Sequence, residues 1–181
     1  FTHLADDQTD LERVTGAYPL DMDSDGKPDL AVLRHGENVL LRGLGDCRFE
    51  RANEAWGFDG GDAWTTAFSA TWESTSAWPT IAVGNYLEEF SAESGARCSD
   101  HELIRPADDG SGFGTSTVLG PGWCALSMLF SDWDRSGRRD LRVSNDRHYY
   151  TDASDGEEQL WRVEASEAPR LYTADEGWQT V

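Results

Sequence analysis

Two stretches decide how the rest of this sequence is read: Asp21–Val32, DMDSDGKPDLAV, and Asp132–Val143, DWDRSGRRDLRV. Asp21, Asp23, Gly26, Asp29, Leu30 and Val32 recur as Asp132, Asp134, Gly137, Asp140, Leu141 and Val143. Between them, Thr71–Val83 (TWESTSAWPTIAV) keeps the flanking apolar segments and loses most of the acids. Such internal similarity is the mark of a repeat architecture.

A second element follows each stretch: NVLLR at 38–42, HELIR at 101–105 and EQLWR at 158–162. A turn and an aromatic come after each, ending in Phe49, Phe113 and Tyr172. Arg42 to Arg105 is 63 residues and Arg105 to Arg162 is 57, a period close to 60. Within a unit the alternation, β-branched residues and Gly/Asp punctuation predict four short strands, in the first unit near 15–20, 29–34, 38–42 and 48–51. No segment carries a helical period over three turns. Four-strand units at this spacing predict an all-β fold, a β-propeller of four-stranded blades with about three blades in this chain, spanning roughly 10–56, 57–118 and 119–181. A β-sandwich is the alternative, and it leaves the repeat unexplained. Three blades do not close a propeller, so further chain or self-association through open blade edges is expected to complete it.

The Asp loops predict a metal. A D-x-D-x-D-G-x-x-D run sets carboxylates at alternate positions around a tight turn, and calcium takes six to eight hard oxygen ligands. Asp21, Asp23, Asp25 and Asp29 supply carboxylates, Gly26 permits the turn, and the Lys27 carbonyl adds an oxygen. As Asx-turn formers alone, four Asp at this spacing would repel one another without gain. The second loop, with Asp132, Asp134 and Asp140, has Ser136 in place of Asp25 and is expected to bind more weakly. The middle loop offers Glu73 and the hydroxyls of Thr71, Ser74 and Thr75, and no metal is expected there.

Composition narrows the function. With 34 acidic against 15 basic residues, the net charge is −19, which disfavours nucleic acid and anionic lipid as partners. No run of 18 apolar residues predicts membrane insertion. The chain opens mid-pattern at Phe1-Thr2 without an initiator Met, as expected of a processed or partial piece. Cys47, Cys98 and Cys124 lack zinc spacing. Cys98 and Cys124 flank one inter-unit connection and are expected to pair, leaving Cys47 free or bonded outside this chain, three buried thiols being the alternative.

DMDSDGKPDLAV and DWDRSGRRDLRV resemble the calcium loops of FG-GAP/VCBS repeats, found in integrin α-subunit propellers and many secreted bacterial proteins. NVLLR…GDCRFE and HELIR…DDGSGF resemble the hairpin of the cartilage acidic protein (ASPIC/UnbV-associated) family, with Cys47 in place of its usual Gly. The resemblance implies one calcium on Asp21, Asp23, Asp25, Lys27 and Asp29, and another on Asp132, Asp134, Ser136, Arg138 (by its carbonyl) and Asp140. It also implies an extracellular or periplasmic setting, but no reaction.

His3, His35, His101 and His148 form no metal or nucleophile motif, and GFDGGDAW (57–64) lacks the Lys-Ser/Thr ending of a P-loop and is expected to be a turn between units. The function expected is therefore a secreted, non-catalytic calcium-binding module for ligand binding, adhesion or assembly, its partner a protein or a carbohydrate. The alternative is a fragment of a carbohydrate-active propeller enzyme, a lyase or dehydrogenase. The long second-to-third-strand connections, near 85–100 and 145–157, are expected to present Tyr86, Glu88, Asn145, Arg147, His148, Tyr149 and Tyr150 to a ligand. The competing expectation is that their aromatics fold back over the blade ends.

Overall fold

In the computed structural model the segments rich in β-branched and apolar residues form strands, and the Gly/Asp clusters between them form the turns. The structure describes residues 7–73, 76–91, 95–146, 156–165 and 167–178. β1 (Val14–Leu20), β2 (Asp29–Arg34), β3 (Val39–Gly45) and β4 (Arg48–Arg51) make a first antiparallel sheet in that order. β5 (Thr65–Thr71) and β6 (Thr80–Asn85) begin the second. A hairpin of β7 (Leu87–Ser91) and β8 (Gly95–Cys98) interrupts it before β9 (His101–Pro106) and β10 (Phe113–Leu119) complete the order β5-β6-β9-β10. β11 (Ala125–Ser131), β12 (Asp140–Asn145), β13 (Gln159–Arg162) and β14 (Arg170–Leu171) make the third sheet, followed by a single 3-10 turn at Ala174–Glu176.

The fold is thus all-β, with three four-stranded antiparallel meanders. The expected strands of the first unit lie within a residue or two of those observed at nearly every end, the third strand alone running three residues further, to Gly45. The connection read as a long loop at 85–100 is instead largely the β7–β8 hairpin. Residues 57–64 do connect the first sheet to the second.

Registers superpose the three sheets. Leu20 faces Asp29, Thr71 faces Thr80 and Ser131 faces Asp140, and each first strand slips register one residue from its start. Because side chains alternate between faces, each sheet then has two apolar faces. Ala31, Leu33 and Leu40 of the first sheet pack with Ile81, Val83 and Ile104 of the second. Ala67, Ala82 and Leu103 on the other face of the second pack with Met128, Phe130, Leu141, Val143 and Trp161 of the third. The sheets therefore stack 1-2-3. The outer face of sheet 1 holds Val32, Val39 and Leu41, covered by Leu11 and Phe49.

Polar groups tie the stack at the end opposite the Asp loops. Thr15 Oγ1 donates to the Thr65 carbonyl, and Thr66 Oγ1 to that of Ala125. Buried Asn38 donates to Thr65 Oγ1 at 2.8 Å, and that hydroxyl donates to Asn85 Oδ1 at 2.8 Å. Satisfied buried networks of this kind select one register, because a slip would strand each member without a partner. At the same end Cys98 and Cys124 form a disulfide with Cα atoms 4.8 Å apart, while Cys47 is free and exposed.

Candidate metal centre

The first Asp loop leaves β1 at Leu20 and re-enters the sheet at Asp29. Ser24 (φ +59°) and Gly26 (φ +84°) turn the backbone back on itself. The Gly26 N–H donates to Asp21 Oδ2 at 3.0 Å and the Asp25 N–H to Asp23 Oδ1 at 3.1 Å. These bonds aim the other carboxylate edges inward. Asp21, Asp23 and Asp29 each bring a ligand oxygen within 4.8 Å of the others. Asp29 is fully buried; its oxygens accept the N–H groups of Met22 at 2.7 Å and Gly43 at 2.8 Å. Burial pushes its carboxyl above the usual range, against those two N–H bonds, and the charges of Asp23 and Asp21 push the same way. Gly43 is obligatory here, since a Cβ on it would meet the Pro28 carbonyl oxygen at 2.2 Å.

Asp21 Oδ1 is buried and has no hydrogen-bond partner. An unmatched buried acceptor costs on the order of 1–3 kcal/mol, and the cost grows where two further carboxylates lie close by. A hard cation relieves both the unmatched oxygen and the repulsion, so the donor set fits calcium. Asp25 stands apart from this trio. Its oxygens accept the Lys27 backbone N–H at 2.9 Å and the Lys27 ammonium at 2.8 Å, and these bonds hold its carboxyl below the usual range. Arg42 Nε lies 2.9 Å from Asp23 Oδ2, a built-in counter-charge at the mouth of the loop.

The second loop repeats the backbone design. Arg135 (φ +58°) and Gly137 (φ +87°) take the places of Ser24 and Gly26. The Gly137 N–H donates to Asp132 Oδ2 at 3.1 Å and the Ser136 N–H to Asp134 Oδ1 at 3.0 Å. The side chains differ. Asp132 and Asp134 are exposed. Buried Asp140 accepts Trp133 Nε1 at 3.1 Å and the Tyr172 hydroxyl at 2.7 Å on one oxygen, and its other oxygen is buried without a partner. Ser136 accepts from Arg138 Nε at 3.2 Å, and Arg138 also pairs with Glu164.

In the middle sheet the position of Asp29 and Asp140 belongs to Thr80. Thr80 Oγ1 donates to Glu73 Oε1 at 2.7 Å, and Arg105 Nε lies 3.2 Å from the same oxygen. Arg42, Arg105 and Arg162 occupy one register position in the three sheets, each following the third-strand residue that faces Leu30, Ile81 or Leu141. The repeated Arg is visible in the sequence, but its role as a counter-charge to loop carboxylates emerges only from the fold.

At the opposite end, Tyr86 is half-buried. It stacks edge-on to Trp64 with centroids 5.2 Å apart and donates its hydroxyl to Asp146. Glu88 is exposed and pairs with Arg97 at 3.4 Å. Asn145 is buried, and its amide donates to the Glu157 carbonyl at 2.8 Å and to Gln159 Oε1 at 3.1 Å, so it holds the connection together. Asn85 does the same for sheet 2, donating to the Asp100 carbonyl at 2.9 Å. Arg147, His148, Tyr149 and Tyr150 lie outside the described residues, as do Ser74 and Thr75. No helix among the described residues is long and apolar enough to cross a membrane. No protein-family model matches the sequence, and a search of curated proteins finds no significant relative.

Proposed function

We propose that this chain is a segment of a calcium-binding β-propeller, acting outside the cytoplasm as a non-catalytic module for ligand binding or assembly. The observation that carries the reading is the meeting of Asp21, Asp23 and Asp29 around a buried, unpartnered carboxylate oxygen. Face-to-face stacking of the three meanders, with the first strands of neighbouring sheets hydrogen-bonded through Thr15 and Thr66, supports the blade reading. The Cys98–Cys124 disulfide supports an oxidising compartment. Asp21, Asp23 and Asp29 would hold the ion in the first loop, with the Lys27 carbonyl and water completing the shell. Asp132, Asp134, Asp140 and Ser136 would do so in the second. The ion's role is structural: it neutralises carboxylates that the fold forces together.

Thermal melting with saturating calcium and with excess chelator tests this. At a free calcium concentration about 100 times Kd, binding adds about 2.7 kcal/mol, or roughly 5–10 °C of Tm for a chain of this size. Asp23→Ala abolishes most of that response. Equal melting temperatures with calcium and with chelator overturn the reading.

A further inference from the structure

Between sheets 2 and 3, at the Asp-loop end, lies an open groove of about 500 Å³. Its size is that of a small-molecule site, roughly 300–1,000 Å³. Trp72 and Glu73 of the middle loop form one wall, and Arg138, Arg139 and Glu164 form the other. Phe130 and Val163, both buried, lie at its base.

The charges in it are unevenly matched. Glu73 is held by Arg105 at 3.2 Å, and Glu164 by Arg162 at 2.7 Å and by Arg138. Arg105 also donates to the Val163 carbonyl at 2.7 Å, which fixes the two walls relative to each other. Both acids are thereby neutralised. Arg139 is exposed and has no ion pair among the described residues. Arg139 is thus a guanidinium without an internal counter-charge at the edge of the groove, next to the second Asp loop, whose Asp134 pairs with Arg138 at 3.6 Å. Across from it Trp72 is 46% exposed, its Nε1 donating to the Ala77 carbonyl at 3.3 Å, so the indole is anchored at one edge.

A free guanidinium fork matches a carboxylate bidentately. A flat, anchored indole gives apolar contact area at little entropic cost. The fixed Glu73–Arg105 and Glu164–Arg138 pairs offer oriented donors and acceptors for hydroxyl groups along the edges. The remaining surface repels polyanions, which disfavours an acidic peptide and favours a mostly uncharged ring bearing a single carboxylate. We propose that this groove is a binding site for an acidic sugar of the uronate class, with Arg139 on the carboxylate and Trp72 under the ring. Neither residue is itself a candidate metal ligand, but Arg139 lies between Arg138 and Asp140 of the second Asp loop, so calcium is held fixed and saturating in the test.

Calorimetric titration of the whole chain with the methyl glycoside of galacturonic acid, one ring with one carboxylate, at fixed saturating calcium, tests it. The glycoside binds, its methyl ester binds at least 10-fold more weakly, and Arg139→Ala and Trp72→Ala each weaken binding by 10-fold or more without moving Tm by more than a degree or two. Arg139→Lys restores part of the affinity. Absence of binding at millimolar glycoside, equal binding of the ester, or wild-type affinity in both alanine variants overturns the proposal. So does tighter binding of a glutamate-rich peptide at the same groove. If either alanine variant melts early, quenching of tryptophan fluorescence by the glycoside that is lost in Trp72→Phe, competed by the free acid and not by the ester, decides instead.

Discussion

Arg105 Nε stands 3.2 Å from Glu73 Oε1, so the middle sheet keeps the guanidinium that Arg42 supplies in the first but sets one carboxylate against it in place of a cluster. Arg105→Ala removes this pair and the bond to the Val163 carbonyl that ties sheet 2 to sheet 3. The pair is partly exposed, so its own share is about 0.5–1 kcal/mol, and the lost carbonyl bond adds about 1 kcal/mol. Arg105→Ala therefore lowers stability by roughly 1–2 kcal/mol, Glu73→Ala by less, and calcium alters neither difference. Denaturant unfolding with calcium and with chelator checks both.

The two Asp loops are expected to bind calcium with different strengths. Three carboxylates converge in the first, whereas in the second Asp132 and Asp134 are exposed and one Asp140 oxygen is already taken by Trp133 and Tyr172. Affinity follows ligand charge and the rigidity of the site. Calorimetric titration resolves a tight and a weak site, the tight one removed by Asp23→Ala and the weak one by Asp134→Ala. Gly43→Ala weakens the tight site alone, because its Cβ displaces the Pro28 carbonyl beside Asp29.

Stability falls in mild acid through His101. This side chain is fully buried, its Nδ1 accepts the Asn85 N–H at 3.2 Å, and burial lowers its pKa from 6.5 to about 4, against the nearby Asp100 charge. The unfolded chain takes up a proton below pH 6.5 that the folded chain refuses until about pH 4. The contribution is thus complete above pH 6.5 and lost as pH falls towards 4, at most about 3 kcal/mol. His101→Gln flattens the dependence of Tm on pH in that window, and an unchanged slope contradicts the assignment.

Reduction loosens the junction of sheets 2 and 3. The Cys98–Cys124 bridge closes a loop of 26 residues, worth about 3 kcal/mol in the chain-entropy model. A reductant lowers Tm by roughly 6–12 °C, and the Cys98→Ala/Cys124→Ala variant starts from the lower value and does not respond. In the unreduced folded chain one thiol, exposed Cys47, reacts with a thiol reagent.

What was legible in the sequence is what repeats locally. Asp21–Val32 and Asp132–Val143 carry turn, strand and donor atoms within a dozen residues, and their loops adopt matching backbone turns. Cys98 and Cys124 were readable because both flank one connection. The β7–β8 hairpin was not, since LEEF and GARC are short and charged and carry no apolar alternation. Asn145 reads as a polar loop residue until the register shows it and Asn85 at equivalent buried strand ends. Asp25 looks like an equal member of its loop, yet Lys27 two residues away occupies its oxygens. The groove beneath Trp72 joins residues from Thr71 to Ala165 and leaves no local trace.

The two outer faces of the stack are unlike. At sheet 1, Val32, Val39 and Leu41 are sealed beneath Leu11 and Phe49. At sheet 3, Leu126 and Leu129 stand 54% and 58% exposed, at the positions through which Thr15 and Tyr18, or Thr66 and Ser69, touch the next sheet. Among the described residues the exposed apolar surface at the two outer faces is therefore weighted towards sheet 3, although Val14 and Leu44 of sheet 1 are also 46% and 38% exposed. Two copies joined through the Leu126–Leu129 face would bury that patch on both at once, each serving as the other's complement.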